Sequence, residues 1–276
     1  MNKKPHIVFI GAGNMAGSII GGLVANGYPP GMITASSPSQ EHLDAVASQY
    51  KVNTTIDNHR AVAEADIIVL AVKPQILEAV CSDLASPLTD KTPLVISIAA
   101  GVETRHIEAW LSKELPIIRC MPNTPALVSQ GASGLFANEQ VSTEQRQRAD
   151  EIFQAVGVTE WITEETQMHG ITALSGSGPA YFFLMMEALE DAAVKTGMSR
   201  ETARKLAIQT VLGAAEMAKQ SDLEPAQLKR NVMSPGGTTE RAIQSFEEGG
   251  IRALFETAVG AAADRSKELA DLLGKK

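Results

Sequence analysis

Short apolar segments alternate with helical patterns along the first 163 residues, and this alternation constrains the fold more than any other feature. Segments 6–10, 66–72, 92–100 and 116–121 are rich in Ile, Val and Leu, and each is followed directly by Gly, Pro or Lys-Pro. Strands without polar alternation are buried on both faces, as in a parallel sheet that helices cover on each side. The pattern therefore predicts a doubly wound α/β domain over residues 1–163.

Other strands and the crossover helices complete this predicted domain. Shorter apolar runs predict strands at 32–36, 132–138 and 158–162. The second helix begins near Pro38, with Ser37 or Ser39 as its expected cap. The segments with helical periodicity are 14–26, 38–50, 57–64, 74–85, 103–112 and 142–155.

The pattern changes after residue 163, where no further strand is predicted. Several of the helical segments that follow, such as "AYFFLMMEALEDAAV" from Ala180, are apolar on more than one face. Such a helix lies at the centre of a bundle or against a second subunit. A second, all-helical domain is therefore expected over residues 164–276, with helices at 164–174, 179–197, 199–219, 224–232, 238–247 and 250–273.

Charge and composition exclude several classes of protein. The chain has 276 residues and a formal net charge of −8, with acidic and basic residues interspersed. This balance argues against a nucleic-acid partner. No segment reaches the roughly 18 apolar residues of a membrane span, and the first residues run into a strand without a signal-peptide pattern. We therefore expect a cytoplasmic protein without a membrane segment.

Cysteine and histidine spacing gives no metal pattern. Cys81 and Cys120 lie outside any CxxC or Cys/His cluster, and the five histidines form no HxxxH pair. We expect neither a metal site nor a disulfide. Cys120 is interpreted as a core residue rather than a nucleophile, and His169 as a surface or helix-cap residue.

The segment "GAGNMA" (11–16) follows a strand and opens a helix, which is the context of a dinucleotide-binding turn. Gly11 permits the tight turn, Gly13 permits close approach of a pyrophosphate, and Ala16 permits close helix packing. The start of the helix supplies amide donors and the positive end of the helix dipole. The pattern therefore predicts a dinucleotide site.

The residues after the second strand bear on the choice of dinucleotide. The stretch "TASSPS" contains no acid before Glu41, although an NAD site usually has a carboxylate there for the ribose hydroxyls. Ser36 and Ser37 can donate to a 2′-phosphate, which a carboxylate would repel. This favours NADPH, with NADH also possible; either serine can instead be an ordinary helix cap.

Two further strand ends carry polar side chains toward the same edge of the sheet. Lys73 is either a cation for phosphate or substrate, or a solvated lysine at a helix start. Asn123 either orients a nicotinamide or an imine-bearing ligand, or forms an Asx turn before Pro125.

Five motifs together carry a specific resemblance. "FIGAGNMA", "LAVKPQ", "RCMPNTP", "LSGSGPAY" and "LKRNVMSPGGTTERAI" occur here in the order and spacing typical of pyrroline-5-carboxylate reductases. The chain resembles that family over essentially its whole length. The resemblance implies reduction of the C=N bond of 1-pyrroline-5-carboxylate to L-proline with NADPH or NADH.

The same resemblance implies an assembly. It predicts an N-terminal Rossmann domain followed by an all-α dimerisation domain whose helices interleave with those of a second subunit. Dimers of this family commonly assemble further, often as a ring of five dimers, a decamer.

The resemblance also implies the residues that contact cofactor, of which Asn231 would reach it from the partner subunit. They are Ile10, Gly11, Ala12, Gly13, Asn14, Met15, Ser36, Ser37, Asn58, Ala71, Val72, Lys73, Pro74, Ile98, Ala99, Ala100 and Asn231.

Substrate is expected at the "SPGGTT" loop. A cyclic imine enters largely protonated near neutral pH, so the protein must mainly orient the ring, hold the carboxylate and exclude water. Thr239 is the expected catalytic residue, bonding the ring nitrogen or its proton, and amides from Gly236 to Thr239 are expected to hold the carboxylate. Asp222 is a further substrate-binding candidate. Alternatively, Thr238 or Thr239 only caps a helix that starts near Glu240.

Two other functions compete with this one. A β-hydroxyacid dehydrogenase also joins a Rossmann domain to a helical one, but it relies on a K-x-x-x-N helix motif, and Lys195 in "VKTGM" lacks the asparagine. A non-catalytic NADP-binding sensor would not need the intact substrate loop.

Overall fold

The computed structural model describes residues 4–273. Contacts within the chain divide it into two compact units. The first contains the residues up to 177 together with those from 262 onward, and the second contains residues 178–261. The domain boundary at residue 163 stays a prediction.

The first unit is built on an eight-stranded sheet. The strands are β1 (Ile7–Ile10), β2 (Ile33–Ser36), β3 (Asn53–Thr55), β4 (Ile67–Leu70), β5 (Leu94–Ser97), β6 (Ile117–Met121), β7 (Gly131–Ala137) and β8 (Gly157–Trp161). Their order across the sheet is β3-β2-β1-β4-β5-β6-β7-β8. From β3 to β6 all neighbours are parallel.

The sheet departs from the expected pattern in two places. β3 was not predicted, because it has only three residues, all polar and none of them fully buried. β7 pairs antiparallel with β6 and parallel with β8. The link between β6 and β7 contains a single 3₁₀ turn, Thr124–Val128, and a parallel return would need a crossover of a dozen or more residues.

Helices cover both faces of the sheet, so the doubly wound architecture is confirmed. Ile7 and Phe9 of β1 lie in one apolar cluster, while Val8 and Ile10 lie in another on the opposite face. The helices of this unit before residue 163 are α1 (Asn14–Ala25), α2 (Gln40–Tyr50), α3 (Asn58–Val62), α4 (Pro74–Ala85), α5 (Thr104–Leu111) and α6 (Thr143–Gln154).

The segment after β8 is less regular than the single helix expected at 164–174. It consists of a 3₁₀ turn (Glu165–Gln167), a short helix α7 (Met168–Ile171) and a π-helical turn (Thr172–Gly176). The Glu165 carboxylate anchors its start, since it accepts hydrogen bonds from Arg119 Nη1 at 2.9 Å and from the Thr104 amide at 2.8 Å.

Every regular element in the described residues of the second unit is a helix, and the helix ends lie within two residues of the predicted ones. It contains α8 (Gly178–Lys195), α9 (Arg200–Gln220), α10 (Pro225–Asn231), α11 (Thr238–Glu248) and the first half of α12 (Ile251–Leu273). Glu190 of α8 is buried and accepts hydrogen bonds from Arg200 and Arg204 of α9, which ties this helix pair together.

His169 is buried, and the expectation that it lies at the surface or caps a helix was wrong. Its Nδ1 lies 3.0 Å from the Ser266 hydroxyl on the last part of α12, inside the first unit. Burial lowers the pKa of His169, and the positive charge of Arg119 lowers it further. The folded chain therefore favours the neutral imidazole.

The free energy of unfolding should fall as pH drops below about 6.5, because the unfolded His169 then gains a proton that the folded one resists. We expect the melting temperature to fall more steeply between about pH 7.5 and pH 5 for the wild type than for His169→Asn, which keeps a polar group beside Ser266 but does not titrate. His42→Asn, at an exposed position of α2, is the matched control. Equal slopes in wild type and His169→Asn would contradict the assignment.

Candidate active site

The carboxyl ends of the parallel strands form a continuous edge in the first unit. Main-chain hydrogen bonds continue past the strand ends and hold the following loops together. These are Gly11 N to Ser36 O (2.7 Å), Ala71 N to Ile10 O (2.8 Å) and Ile98 N to Leu70 O (3.1 Å). Three of the segments that the sequence assigned to cofactor, 10–15, 71–74 and 98–100, are therefore neighbours.

Gly11 makes the tight turn that the sequence predicts. Its φ is +105°, and a β-carbon there would lie 2.5 Å from the carbonyl oxygen of Ala71. Gly13 is the N-cap of α1, with open space where a side chain would stand, and Ala16 is buried behind it. The start of α1 thus offers its amides to an anion that approaches the main chain closely.

The two serines after β2 are both buried but differ in their hydrogen bonds. Ser36 is fully buried and donates from its hydroxyl to Asn58 Oδ1 at 2.6 Å, so it orients the Asn58 side chain. The Ser37 hydroxyl accepts from the Ser39 amide at 3.2 Å, which leaves its proton for another acceptor. Ser39, not Ser37, caps α2. Ser37 is therefore the better placed of the two to donate to a phosphate.

Lys73 and Asn123, the two polar residues predicted at other strand ends, also differ. Lys73 is exposed at the start of α4, and its ammonium has no hydrogen bond or ion pair within the described residues. Asn123 is buried, donates to the Ser175 carbonyl and accepts from the Ala132 amide, both at 2.9 Å. Its side chain therefore joins two main-chain segments and does not form an Asx turn, while the nicotinamide role stays a prediction.

The π-helical turn is a feature of this edge that the sequence analysis missed. Its defining hydrogen bond runs from the Ser177 amide to the Thr172 carbonyl at 2.8 Å, five residues back. Asn123 binds the Ser175 carbonyl in the same turn, so the "PNTP" and "LSGSGP" motifs are in direct contact. Isolated π turns are frequent at functional sites. The glycine-rich motif was the available signal.

The "SPGGTT" loop lies in the second unit, between α10 and α11. Gly236 has a left-handed φ of +70°. The Gly237 amide donates to the Ser234 carbonyl at 2.9 Å, and Gly237 is the N-cap of α11. α11 begins at Thr238 without a side-chain cap. The alternative that Thr238 or Thr239 only caps a helix starting near Glu240 is therefore wrong.

The amides of this loop fall into two groups. The Gly236 amide donates to Glu240 Oε2 at 2.7 Å, and the Gly237 amide is paired with Ser234. The amides of Thr238, Thr239 and Glu240 have no acceptor among the described residues. The amides free to bind an anion in this conformation are therefore those of 238–240, whereas the sequence predicts a carboxylate site at the amides of Gly236–Thr239.

The remaining predicted side chains of the second unit lie near the surface. Thr238 is exposed and Thr239 half-buried, and neither hydroxyl has a hydrogen-bond partner in the described part of the chain. Asn231, the last residue of α10, is exposed and accepts from Gln227 Nε2 at 2.7 Å. Asp222 lies in the exposed link between α9 and α10.

The cysteines offer no nucleophile. Cys120 is buried, which confirms its interpretation as a core residue, and burial raises the pKa of its thiol. Burial also raises the pKa of Cys81 to about 12. Both thiols therefore stay protonated at neutral pH.

No group of three His, Cys, Asp or Glu side chains within residues 4–273 could hold a metal ion. None of the helices in this range is long and apolar enough to cross a bilayer.

Comparison with known proteins covers the whole chain. Residues 165–269 match the family model "Pyrroline-5-carboxylate reductase dimerisation", and residues 6–101 match "NADP oxidoreductase coenzyme F420-dependent". A pyrroline-5-carboxylate reductase from Pseudomonas aeruginosa is 53% identical over 273 residues, covering 99% of this chain and 100% of the relative.

Solved structures agree with the sequence match. A pyrroline-5-carboxylate reductase from Coxiella burnetii is 49% identical with a TM-score of 0.94, covering 97% of this chain and 99% of that one. A pyrroline carboxylate reductase from Plasmodium falciparum with NADP bound is 34% identical with a TM-score of 0.84, covering 97% and 98% of the two chains. The chain therefore belongs to the pyrroline-5-carboxylate reductase family.

Proposed function

We propose that this chain reduces the C=N bond of 1-pyrroline-5-carboxylate to give L-proline, the last step of proline biosynthesis, with NADPH or NADH as reductant. The observation that carries the proposal is the match at 53% identity over essentially the full length of a relative named for this activity. Each unit adds a chemical reason of its own: the first has a turn built for a dinucleotide, and the second has a loop whose free amides suit a carboxylate.

The geometry of the first unit fits the cofactor. Gly11 and the open space before α1 let a pyrophosphate approach the amides at the helix start. The Ser37 hydroxyl can donate to a 2′-phosphate. The sequence has no acidic residue from Ser37 up to Glu41 that would repel this phosphate. When bound, the nicotinamide dinucleotide supplies the hydride. The residues from Ala71 to Pro74 and from Ile98 to Ala100 would line its path along the sheet edge.

The second unit would hold the substrate. The amides of Thr238, Thr239 and Glu240 point from the N-terminus of α11, where the helix dipole also favours a carboxylate. Thr239 would place its hydroxyl beside the ring nitrogen. The nitrogen is protonated before hydride arrives, so a hydroxyl that orients the ring suffices and no ionisable acid is required.

A homodimer would explain the surface of the second unit. Phe182, Phe183 and Leu184 of α8 are 54 to 65% exposed, and Leu212 and Met217 of α9 are equally uncovered. Large exposed apolar surfaces of this kind mark protein interfaces. We extend the proposal to a dimer through this unit, with Asn231 directed to the partner's cofactor and with further assembly into a decamer.

A cytoplasmic location accords with the free thiols of Cys81 and Cys120. The formal charge of −8 gives no support for a nucleic-acid partner.

The purified protein should oxidise NADPH only when 1-pyrroline-5-carboxylate is added, and L-proline should form in equal amount. The same sample should elute well above the mass of a 29.3 kDa monomer. Oxidation of NADPH that does not depend on the pyrroline, or none at all, would reject the proposed activity.

Ser37→Ala should raise the KM for NADPH about tenfold, because a hydrogen bond to a charged phosphate is lost. The KM for NADH should stay within about twofold, since NADH has no 2′-phosphate. The measurement is steady-state kinetics with each cofactor, and Ser39→Ala, which removes only the cap of α2, is the control. An equal rise for both cofactors would contradict the role of Ser37.

Thr239→Ala should lower kcat about 100-fold, because the ring N–H loses the hydroxyl oxygen that accepts its hydrogen bond and orients the ring for hydride transfer. Thr239→Ser keeps the hydroxyl and should retain most of the activity. Neither the Thr238 nor the Thr239 hydroxyl caps α11, so the melting temperature of these variants should change little. Thr238→Ala is the matched control on the same helical turn, and a larger loss there than in Thr239→Ala would transfer the role to Thr238.

A further inference from the structure

Within the described residues, one hydrogen bond joins a side chain to the "SPGGTT" loop, and that side chain is Glu240. It is the third residue of α11, and its Oε2 lies 2.7 Å from the Gly236 amide, four residues back. This length is typical of a bond in which the acceptor carries a charge. A glutamate at this position of a helix often bonds the N-cap amide, but here that amide, Gly237, is already paired with Ser234.

The bond holds the loop in an otherwise weakly constrained shape. Gly236 has φ +70°, and no atom lies within 4 Å of where its side chain would start, so packing does not fix this residue. Two hydrogen bonds do so instead: Gly237 to Ser234, and Gly236 to Glu240. Because both glycine amides are used in this way, the amides of Thr238, Thr239 and Glu240 are the ones left for a ligand.

The same carboxylate has an electrostatic cost for an anionic substrate. It lies at the N-terminus of α11, where the substrate carboxylate is proposed to bind, and two negative charges in the same turn repel each other. The described residues pair no cation with Glu240. The side chain thus has two separable effects: a hydrogen bond that orders the loop, and a charge that weakens anion binding.

We propose that Glu240 is a positioning residue for the substrate loop, which it orders by accepting the Gly236 hydrogen bond, at the expense of tighter binding of the substrate carboxylate. The proposal rests on the proposed function for the identity of the anion. The ordering of the loop by the Gly236 hydrogen bond does not rest on the proposed function.

Two substitutions separate the effects. Glu240→Gln keeps an acceptor for Gly236 but removes the charge. Its KM for 1-pyrroline-5-carboxylate should fall about threefold at low salt with kcat unchanged, and the difference from wild type should vanish near 0.5 M salt, where charges are screened within about 5 Å. Glu240→Ala removes the acceptor as well, and its kcat/KM should fall about tenfold. Glu248→Gln, the same change at the other end of α11, is the control.

Hydrogen–deuterium exchange tests the ordering without reference to activity. The peptide containing residues 232–238 should exchange faster in Glu240→Ala than in wild type, and at the wild-type rate in Glu240→Gln. The proposal would be overturned if Glu240→Gln and Glu240→Ala had the same kinetic constants and the same exchange rate of this peptide. It would also be overturned if both variants matched Glu248→Gln in these quantities. If Glu240→Ala does not fold, the salt dependence of KM in Glu240→Gln decides. A wild type inactive on the pyrroline would reject the proposed function and leave the exchange result to stand.

Discussion

Gly11 passes so close to the Ala71 carbonyl oxygen that any β-carbon at this position would lie 2.5 Å from it. The left-handed turn at Gly11 carries the chain from β1 across the end of β4 and into α1. The amide of Gly11 is held by Ser36 on one side, and the Ile10 carbonyl holds the Ala71 amide on the other. Three loops therefore meet at one edge with their main chains in contact, and the remaining features of the cofactor site depend on that contact.

The same rule, that main-chain groups must find partners, determines which amides are left for ligands. In the "SPGGTT" loop, internal hydrogen bonds use the Gly236 and Gly237 amides, and the first three residues of α11 keep theirs. At the π-helical turn, the Asn123 side chain donates to the Ser175 carbonyl and accepts from the Ala132 amide, so it satisfies main-chain groups of two segments. A polar residue in a sequence motif can thus serve to satisfy main-chain groups.

The sequence predicted the features that depend on local pattern. The strand-glycine-helix order around Gly11 and the helix ends of the second unit follow from apolar periodicity and from Gly and Pro positions, which act over a few residues. β3 was not predicted, because a short polar edge strand has no such pattern. The burial of His169 was not predicted, because its partner Ser266 is 97 residues away in the sequence. The hydrogen bond from the Gly236 amide to Glu240 was not predicted either, because it depends on the φ of Gly236.

The two units differ in how their residues are buried, and this bears on how activity arises. The sheet of the first unit has a complete apolar cluster on each face. In the second unit, by contrast, the fully buried side chains within residues 178–261 are few and small apart from Glu190, while Phe183 and Leu184 are about 65% exposed. Helices with so little burial gain little free energy from packing within one chain. Covering these faces with a second copy would supply that free energy, and because the "SPGGTT" loop joins two of these helices, its order would then depend on assembly as well.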